Sequence, residues 1–340
     1  MTLRSRGFAL ALATVLAGTL TACGLSGGSD DALVVYNAQH ESLTRQWADA
    51  FTAETGVEVE LRNGSDFDLG NQLVAEGDAS EADVYLTENS PAISMVAREG
   101  LLAPVVDRTL EQVPEQYRPS SGDWVGIAAR STVFVYNKDT VDEAELPTSF
   151  ADLASPRWKG KWGAAPAGAD FQAIVSASLD LSGEDATRTW LESLEGPDGA
   201  FATYKGNKPI LAAVNAGEID GGVIYHYYYF GDQAGTGESS QNVGQHYFRN
   251  GGPESFVSLS GGGVLAGAPH AEGAQRFLEF ITSAKGQEIL RDSSFEYPVA
   301  SGVEANAELV PLAELNAPDV DPAGLNGRQV SELMISLGLA

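Results

Sequence analysis

A β-branched run, Ala32-Leu33-Val34-Val35-Tyr36, precedes Leu43, Trp47, Ala50, Phe51 and Glu54 at helical spacing, then Gly56 where a helix would stop, then a second β-rich run over residues 57–61. Strand, helix and strand in that order open a βαβ unit, which commits the chain to a parallel sheet and places ligand sites beyond the carboxyl ends of its strands. The order recurs. Residues 72–76 read as helix and Ala82-Asp83-Val84-Tyr85-Leu86 as a strand running into Thr87-Glu88-Asn89-Ser90. Pro91 opens a further helix that carries Ile93, Val96 and Ala97 inward and closes near Gly100. His40 and Glu88 therefore both fall just past strand ends. A loop histidine is often only solvated, and a carboxylate beside a helix N-terminus often only complements the dipole; the alternative is that both face one crevice.

Further along, residues 124–137 hold two β-rich pieces that meet at Arg130 and Ser131, where a crossing between two lobes is expected. Residues 159–165 read as a strand, and the small residues Pro166-Ala167-Gly168-Ala169 lead into a helix reaching about residue 178. Such a start leaves amide hydrogens exposed and suits an anion. Residues 187–194 and 210–216 read as helices, and residues 219–224 lead into Tyr225-His226-Tyr227-Tyr228-Tyr229-Phe230. Four phenols and an imidazole are a poor recipe for a dry core, because each buried hydroxyl or ring nitrogen needs a partner. Either a strand end passes into a helix with the phenol tips wet, or neighbouring phenols become phenolates around a hard cation. Residues 256–265 return as a strand whose glycines, Gly261 to Gly263, imply close backbone approach. Residues 271–290 are amphipathic, and 308–315 and 327–337 read as closing helices.

The beginning of the chain bounds its compartment. Arg4 and Arg6 precede an apolar stretch over residues 8–20, followed by Leu20-Thr21-Ala22-Cys23, the pattern of an export signal over residues 1–22. Cys23 is the single cysteine, and its setting resembles the lipobox of bacterial lipoproteins, which implies cleavage before it and a diacylglyceryl group on its sulfur. Residues 23–31, glycine- and serine-rich, read as the lipidated cysteine and a flexible tether. The formal charge of −27 becomes −29 once the signal is removed, with 18 basic against 47 acidic side chains. That excess of carboxylates disfavours nucleic acid as a partner. The roughly 310 remaining residues exceed what one core usually serves, so two lobes are expected.

Six motifs carry a family resemblance: VYNAQHE (35–41), ADVYLTENSPAI (82–93), WVGIAARSTVFVYN (124–137), SPRWKGKW (155–162), AVNAGEIDGGVIYHYYYF (213–230) and FEYPV (295–299). Over nearly all of residues 33–337 the chain resembles the bacterial ferric-iron-binding proteins, solute receptors of iron ABC importers with the type 2 periplasmic-binding-protein fold. The resemblance implies an α/β architecture of two lobes, residues 32–130 with 258–305 and residues 131–257 with 306–340, each a mainly parallel sheet flanked by helices and joined by a two-crossing hinge. It implies a binding protein rather than an enzyme, and a monomer. It also implies lipid anchorage on the outer face of the plasma membrane and delivery of cargo to a permease and its ATPase. The metal donors it implies are His40, Glu88, Tyr227 and Tyr228. Two phenolates and a carboxylate supply three negative charges, which balance Fe³⁺ and leave a divalent ion overmatched.

The family often completes its iron with phosphate or carbonate. Here Ala167 and Tyr225 stand where many relatives have serine and asparagine, and Phe171 stands where others have a further tyrosine. The groups left for an anion are the amides of Gly168, Ala169 and Asp170 and the side chains of Asn89 and Asn207. Arg130 reads as a hinge salt bridge or a counter-charge to the anion. The competing reading is a receptor of the same fold for an organic cation, a sugar or an oxyanion, with the aromatic run as a stacking wall. A metal hydrolase lacks support, since the four histidines, His40, His226, His246 and His270, are widely spread.

Overall fold

In the computed structural model, which describes residues 32–194 and 201–339, one mixed sheet organises the chain. The export signal, Cys23 and the tether lie outside the described residues. The strands are β1 (Leu33–Asn37), β2 (Val59–Asn63), β3 (Val84–Leu86), β4 (Val125–Asn137), β5 (Trp162–Ala164), β6 (Ala202–Thr203), β7 (Gly221–Tyr225), β8 (Val243–His246) and β9 (Val257–Val264). Their order is β2-β1-β3-β9-β4-β7-β5-β6, with β8 also on β4. The outer pairs, β1 with β2 and β3, and β5 with β6 and β7, are parallel, as βαβ units require. The central pairs, which involve β9 and β4, are antiparallel.

β4 divides the sheet into two halves. Its residues from Val125 to Ser131 pair with β9, whereas Thr132 to Tyr136 pair with β7. The change of partner falls between Ser131 and Thr132, and Thr132 N–H donates to Phe256 O just ahead of β9. Alternation along β4 feeds cores on both faces. Val125 and Ile127 join Leu33, Trp47, Phe51 and Phe277 on one face of the first half, while Trp124 joins Leu73, Tyr85 and Ile93 on the other. In the second half Phe134 packs with Trp158, Trp162 and Val223, and Val133 and Val135 with Ile210, Val214 and Ile224. Leu309 and Leu315 belong to the first-half core with Leu33, and Val330, Leu333 and Met334 to the second-half core with Phe134.

The glycines of β9 let helices press on the sheet. A Cβ on Gly262 would lie 2.6 Å from Leu278 Cδ1, and one on Gly261 2.6 Å from Ile93 Cγ2. Several elements differ from expectation for local reasons. The 271–290 stretch is two helices, Ala271–Thr282 and Ala284–Ser294, because Ser283 is extended and its hydroxyl accepts from Gly286 N–H, starting a new helix. The expected 308–315 helix is one 3₁₀ turn, Leu312–Glu314, since Pro311 biases the residue before it away from helix. The expected 159–165 strand shortens to β5, because Trp158, Lys159 and Lys161 spend their N–H groups on turn carbonyls. β6 and β8 are short strands with no expected counterpart. Among the described residues no helix is long and apolar enough to cross a membrane.

Candidate functional site

The site gathers at the carboxyl ends of the outer strands. β1 leads to His40, the N-cap of helix Glu41–Thr55, and β3 leads to Glu88 ahead of helix Ser90–Arg98. On the other half, β5 leads to Asp170 in the first turn of helix Ala169–Ser182, and β6 to Asn207 at the start of helix Asn207–Ala216. β7 ends at Tyr225, and helix Tyr227–Ala234 begins with the two neighbouring phenols. Loops at this end of a parallel sheet are where side chains from separate strands converge.

The four metal candidates meet. Tyr227 Oη donates to Glu88 Oε1 at 2.8 Å, and His40 Nε2 lies 3.4 Å from that same oxygen. Among the described residues His40 Nε2, though buried, has no hydrogen-bond partner. The Tyr227 and Tyr228 rings are 4.2 Å apart, and Tyr228 Oη donates to Asp170 Oδ2 at 3.2 Å. His40, Tyr227 and Tyr228 line an open cleft of about 850 Å³ whose walls also include Lys208 and Phe295. Among the described residues no three His, Cys, Asp or Glu side chains are grouped so that they could hold a metal ion.

The anion groups are arranged differently from the sequence expectation. Asn89 Nδ2 donates to Asp170 Oδ1 at 2.8 Å, and Asn207 Nδ2 donates to Asp170 Oδ2. Tyr225 Oη lies within hydrogen-bonding distance of Asn89 Oδ1 (3.2 Å) and Asp170 O (3.3 Å). Gly168 N–H is taken by Ala165 O at 2.9 Å, and Ala169 supplies only the first helical residue after it. The cradle thus holds a carboxylate of its own, from a residue whose backbone amide alone entered the sequence reading.

Electrostatics keep the two phenols protonated at neutral pH. Burial, then the Glu88 carboxylate, push the Tyr227 phenol well above its usual range; burial and Asp170 do the same for Tyr228. Burial, then Glu88, raise Asp170 to about 7, and burial raises Glu88 against the pull of Arg130. His40 is lowered, chiefly by burial.

Beneath the donors lies a polar layer. Arg130, fully buried on β4, donates to the carboxylate of Glu296 and to the carbonyl of Glu88, and reaches Ser260 Oγ at 2.8 Å. Burial pushes Glu296 up, but Arg130, His40 and His226 together outweigh it and hold the carboxyl below its ordinary value. Glu296 Oε1 lies 3.7 Å from His40 Nε2. Breaking a buried pair by removing one charge strands the other, so Glu296→Gln is expected to destabilise the protein by about 3–5 kcal/mol, read from denaturant unfolding. His226 is not in the donor set. Its Nδ1 accepts from Ser131 N–H at 3.1 Å and its Nε2 donates to Phe295 O at 2.9 Å, so it ties the middle of β4 to Phe295; burial lowers its pKa to about 4. His270 pairs with Asp83 at 3.1 Å, and His246 lies on β8.

Asp66, Glu296 and the Asp170 side chain have no part in the sequence reading of the site. Glu296 lies within the FEYPV motif, and Asp66 precedes the point at which residues 72–76 register as helix.

Comparison with known proteins follows the same lines. Residues 80–323 match the family described as bacterial extracellular solute-binding protein. The chain is 56% identical over 315 residues to the Fe(3+)-binding periplasmic protein of Serratia marcescens, covering 92% of each chain. It is 32% identical to the major ferric iron-binding protein of Neisseria meningitidis serogroup B, over 87% of this chain and 89% of that one. The crystal structure of iron-bound HitA from Pseudomonas aeruginosa superposes with a TM-score of 0.84 at 36% identity, covering 90% of this chain and 99% of that one. These relatives are solute-binding transport proteins, not enzymes, and they share the two-lobed α/β fold described above. With a family model matched over residues 80–323 and relatives matched over nearly its whole length, the chain belongs to the bacterial extracellular solute-binding proteins, in the branch of periplasmic ferric-iron-binding proteins.

Proposed function

We propose that this protein captures ferric iron through His40, Glu88, Tyr227 and Tyr228 and hands it to the permease and ATPase of an ABC importer. The observation that carries the reading is the Tyr227 to Glu88 contact at 2.8 Å, with His40 3.4 Å from the same carboxylate oxygen, since these groups come from opposite halves of the sheet. Phenolates and a carboxylate suit a hard trivalent cation, and an imidazole adds a neutral donor. His40 and Glu88 belong to one lobe and the phenols to the other, so cargo that binds all four favours the closed arrangement over an open one. Residues 1–22 act as the export signal, and lipid on Cys23 tethers the protein outside the plasma membrane, where it works as a monomer.

In this reading Asp170 supplies the negative charge that phosphate or carbonate brings in relatives. Its carboxylate already accepts from Asn89 and Asn207, the amides an external anion would use. Titrating the purified mature protein with ferric iron, delivered from a weak chelator, should give one visible absorbance band saturating at one iron per chain. A colourless protein at saturation overturns the iron assignment. Wild-type affinity should be indifferent to added phosphate, whereas Asp170→Ala should bind at least about tenfold more weakly and recover when phosphate is added. Wild-type affinity that climbs with phosphate would remove Asp170 from this role.

A further inference from the structure

Asp66 supplies no donor to the site, yet it is only 2% exposed and holds two consecutive peptide N–H groups. Its Oδ1 accepts from Glu88 N–H at 2.8 Å and its Oδ2 from Asn89 N–H at 2.9 Å. Tyr85 Oη, donating to the Asp66 carbonyl oxygen at 2.5 Å, fixes the residue from β3. On the far side of Glu88, Arg130 and Ser260 Oγ (3.2 Å) donate to its carbonyl oxygen. The backbone of this one residue is therefore held at both its N–H and its C=O, just past a strand end. Asn89, whose N–H Asp66 also holds, carries the side chain that reaches Asp170 in the other half of the sheet.

We infer that Asp66 is a positioning residue for the two carboxylates of the metal site, fixing Glu88 directly and Asp170 through Asn89. The inference rests on the iron reading above. A carboxylate offers two acceptors to two adjacent N–H groups. An asparagine in its place offers one and turns its NH₂ toward the other, leaving a buried donor unpaired and the Glu88–Asn89 peptide free to shift.

The test is a double-mutant cycle read as iron affinity by chelator competition and as the energy of the visible band. Asp66→Asn should bind iron about 10- to 100-fold more weakly, the range for an outer residue that orients a donor. Its band should move in the same direction as that of Glu88→Gln, and the two losses should combine to less than their product, because the Glu88 carboxylate is shared by both, although Asp66 also acts on Asp170. Losses that multiply independently, or an unmoved band, overturn the inference. Should Asp66→Asn fail to fold by circular dichroism, Tyr85→Phe, which only loosens the Asp66 backbone, takes its place: a smaller loss in the same direction supports the role, and wild-type affinity overturns it. A wild type that stays colourless with iron sinks the iron reading itself, a different outcome from a coloured wild type matched by Asp66→Asn.

Discussion

Tyr227→Phe and Tyr228→Phe are each expected to lower ferric iron affinity by more than about a hundredfold, beyond the range for losing an outer-shell contact, and to weaken the visible band. The substitution removes one oxygen and leaves the ring, so the tilted ring pair, with centroids 4.2 Å apart, and its place in the second-half core persist. What is lost is an anionic donor that no neighbour replaces. The two variants should differ in the iron-free state. Tyr227 donates to Glu88, so its loss also removes a hydrogen bond that favours the ionised carboxylate, whereas Tyr228 donates to Asp170, which keeps Asn89 and Asn207. Tyr229 packs edge-on against Phe230 at 5.4 Å, and Tyr229→Phe serves as the control with affinity and colour unchanged. Absorbance titration and chelator competition on the four proteins check this, and a Tyr227→Phe protein as coloured as the wild type would end the assignment.

The parts legible from sequence are those whose signal is local. The run Leu33 to Tyr36 with a helix stop at Gly56 announces the first βαβ unit, and Gly56 adopts the left-handed backbone that such a stop needs, with φ 77°. His40, Glu88 and the tyrosine pair sit two or three residues past strand ends, so knowing the strands places these candidates. What escaped is what depends on distance along the chain. Asp66 matters because residues 22 and 23 positions later bring it their N–H groups, and Glu296 because Arg130 lies 166 positions earlier. Asp170 reads in sequence as a first-turn acid on a helix; only the approach of Asn89 from the other half, 81 positions away, makes its carboxylate the occupant of the cradle. The same holds for the single amphipathic pattern over residues 271–290, where one serine hydroxyl decides that there are two helices.

Iron affinity should fall steeply in acid, with a slope that identifies the donors. In the iron-free protein both phenols sit well above their ordinary range, so at neutral pH each still carries its proton and must release it when iron binds. Two protons released means an affinity that drops about a hundredfold for each pH unit between 8 and 7, once the chelator's own titration is subtracted. Below pH 7 the sign is the same and the slope grows. Asp170, raised to about 7, now also holds a proton that iron must displace, and burial pushes Glu88 up in the same direction. His40 is lowered, so it resists protonation longer than a free imidazole. A third proton raises the drop toward a thousandfold per unit. Two variants separate the contributions: Tyr228→Phe should reduce the slope above pH 7 by one proton, while Asp170→Asn should leave that limb intact and remove the steepening below it. Proton release measured by pH-stat during iron loading gives the same count independently, and a wild-type release of fewer than one proton at pH 8 would show that the phenols are not the donors.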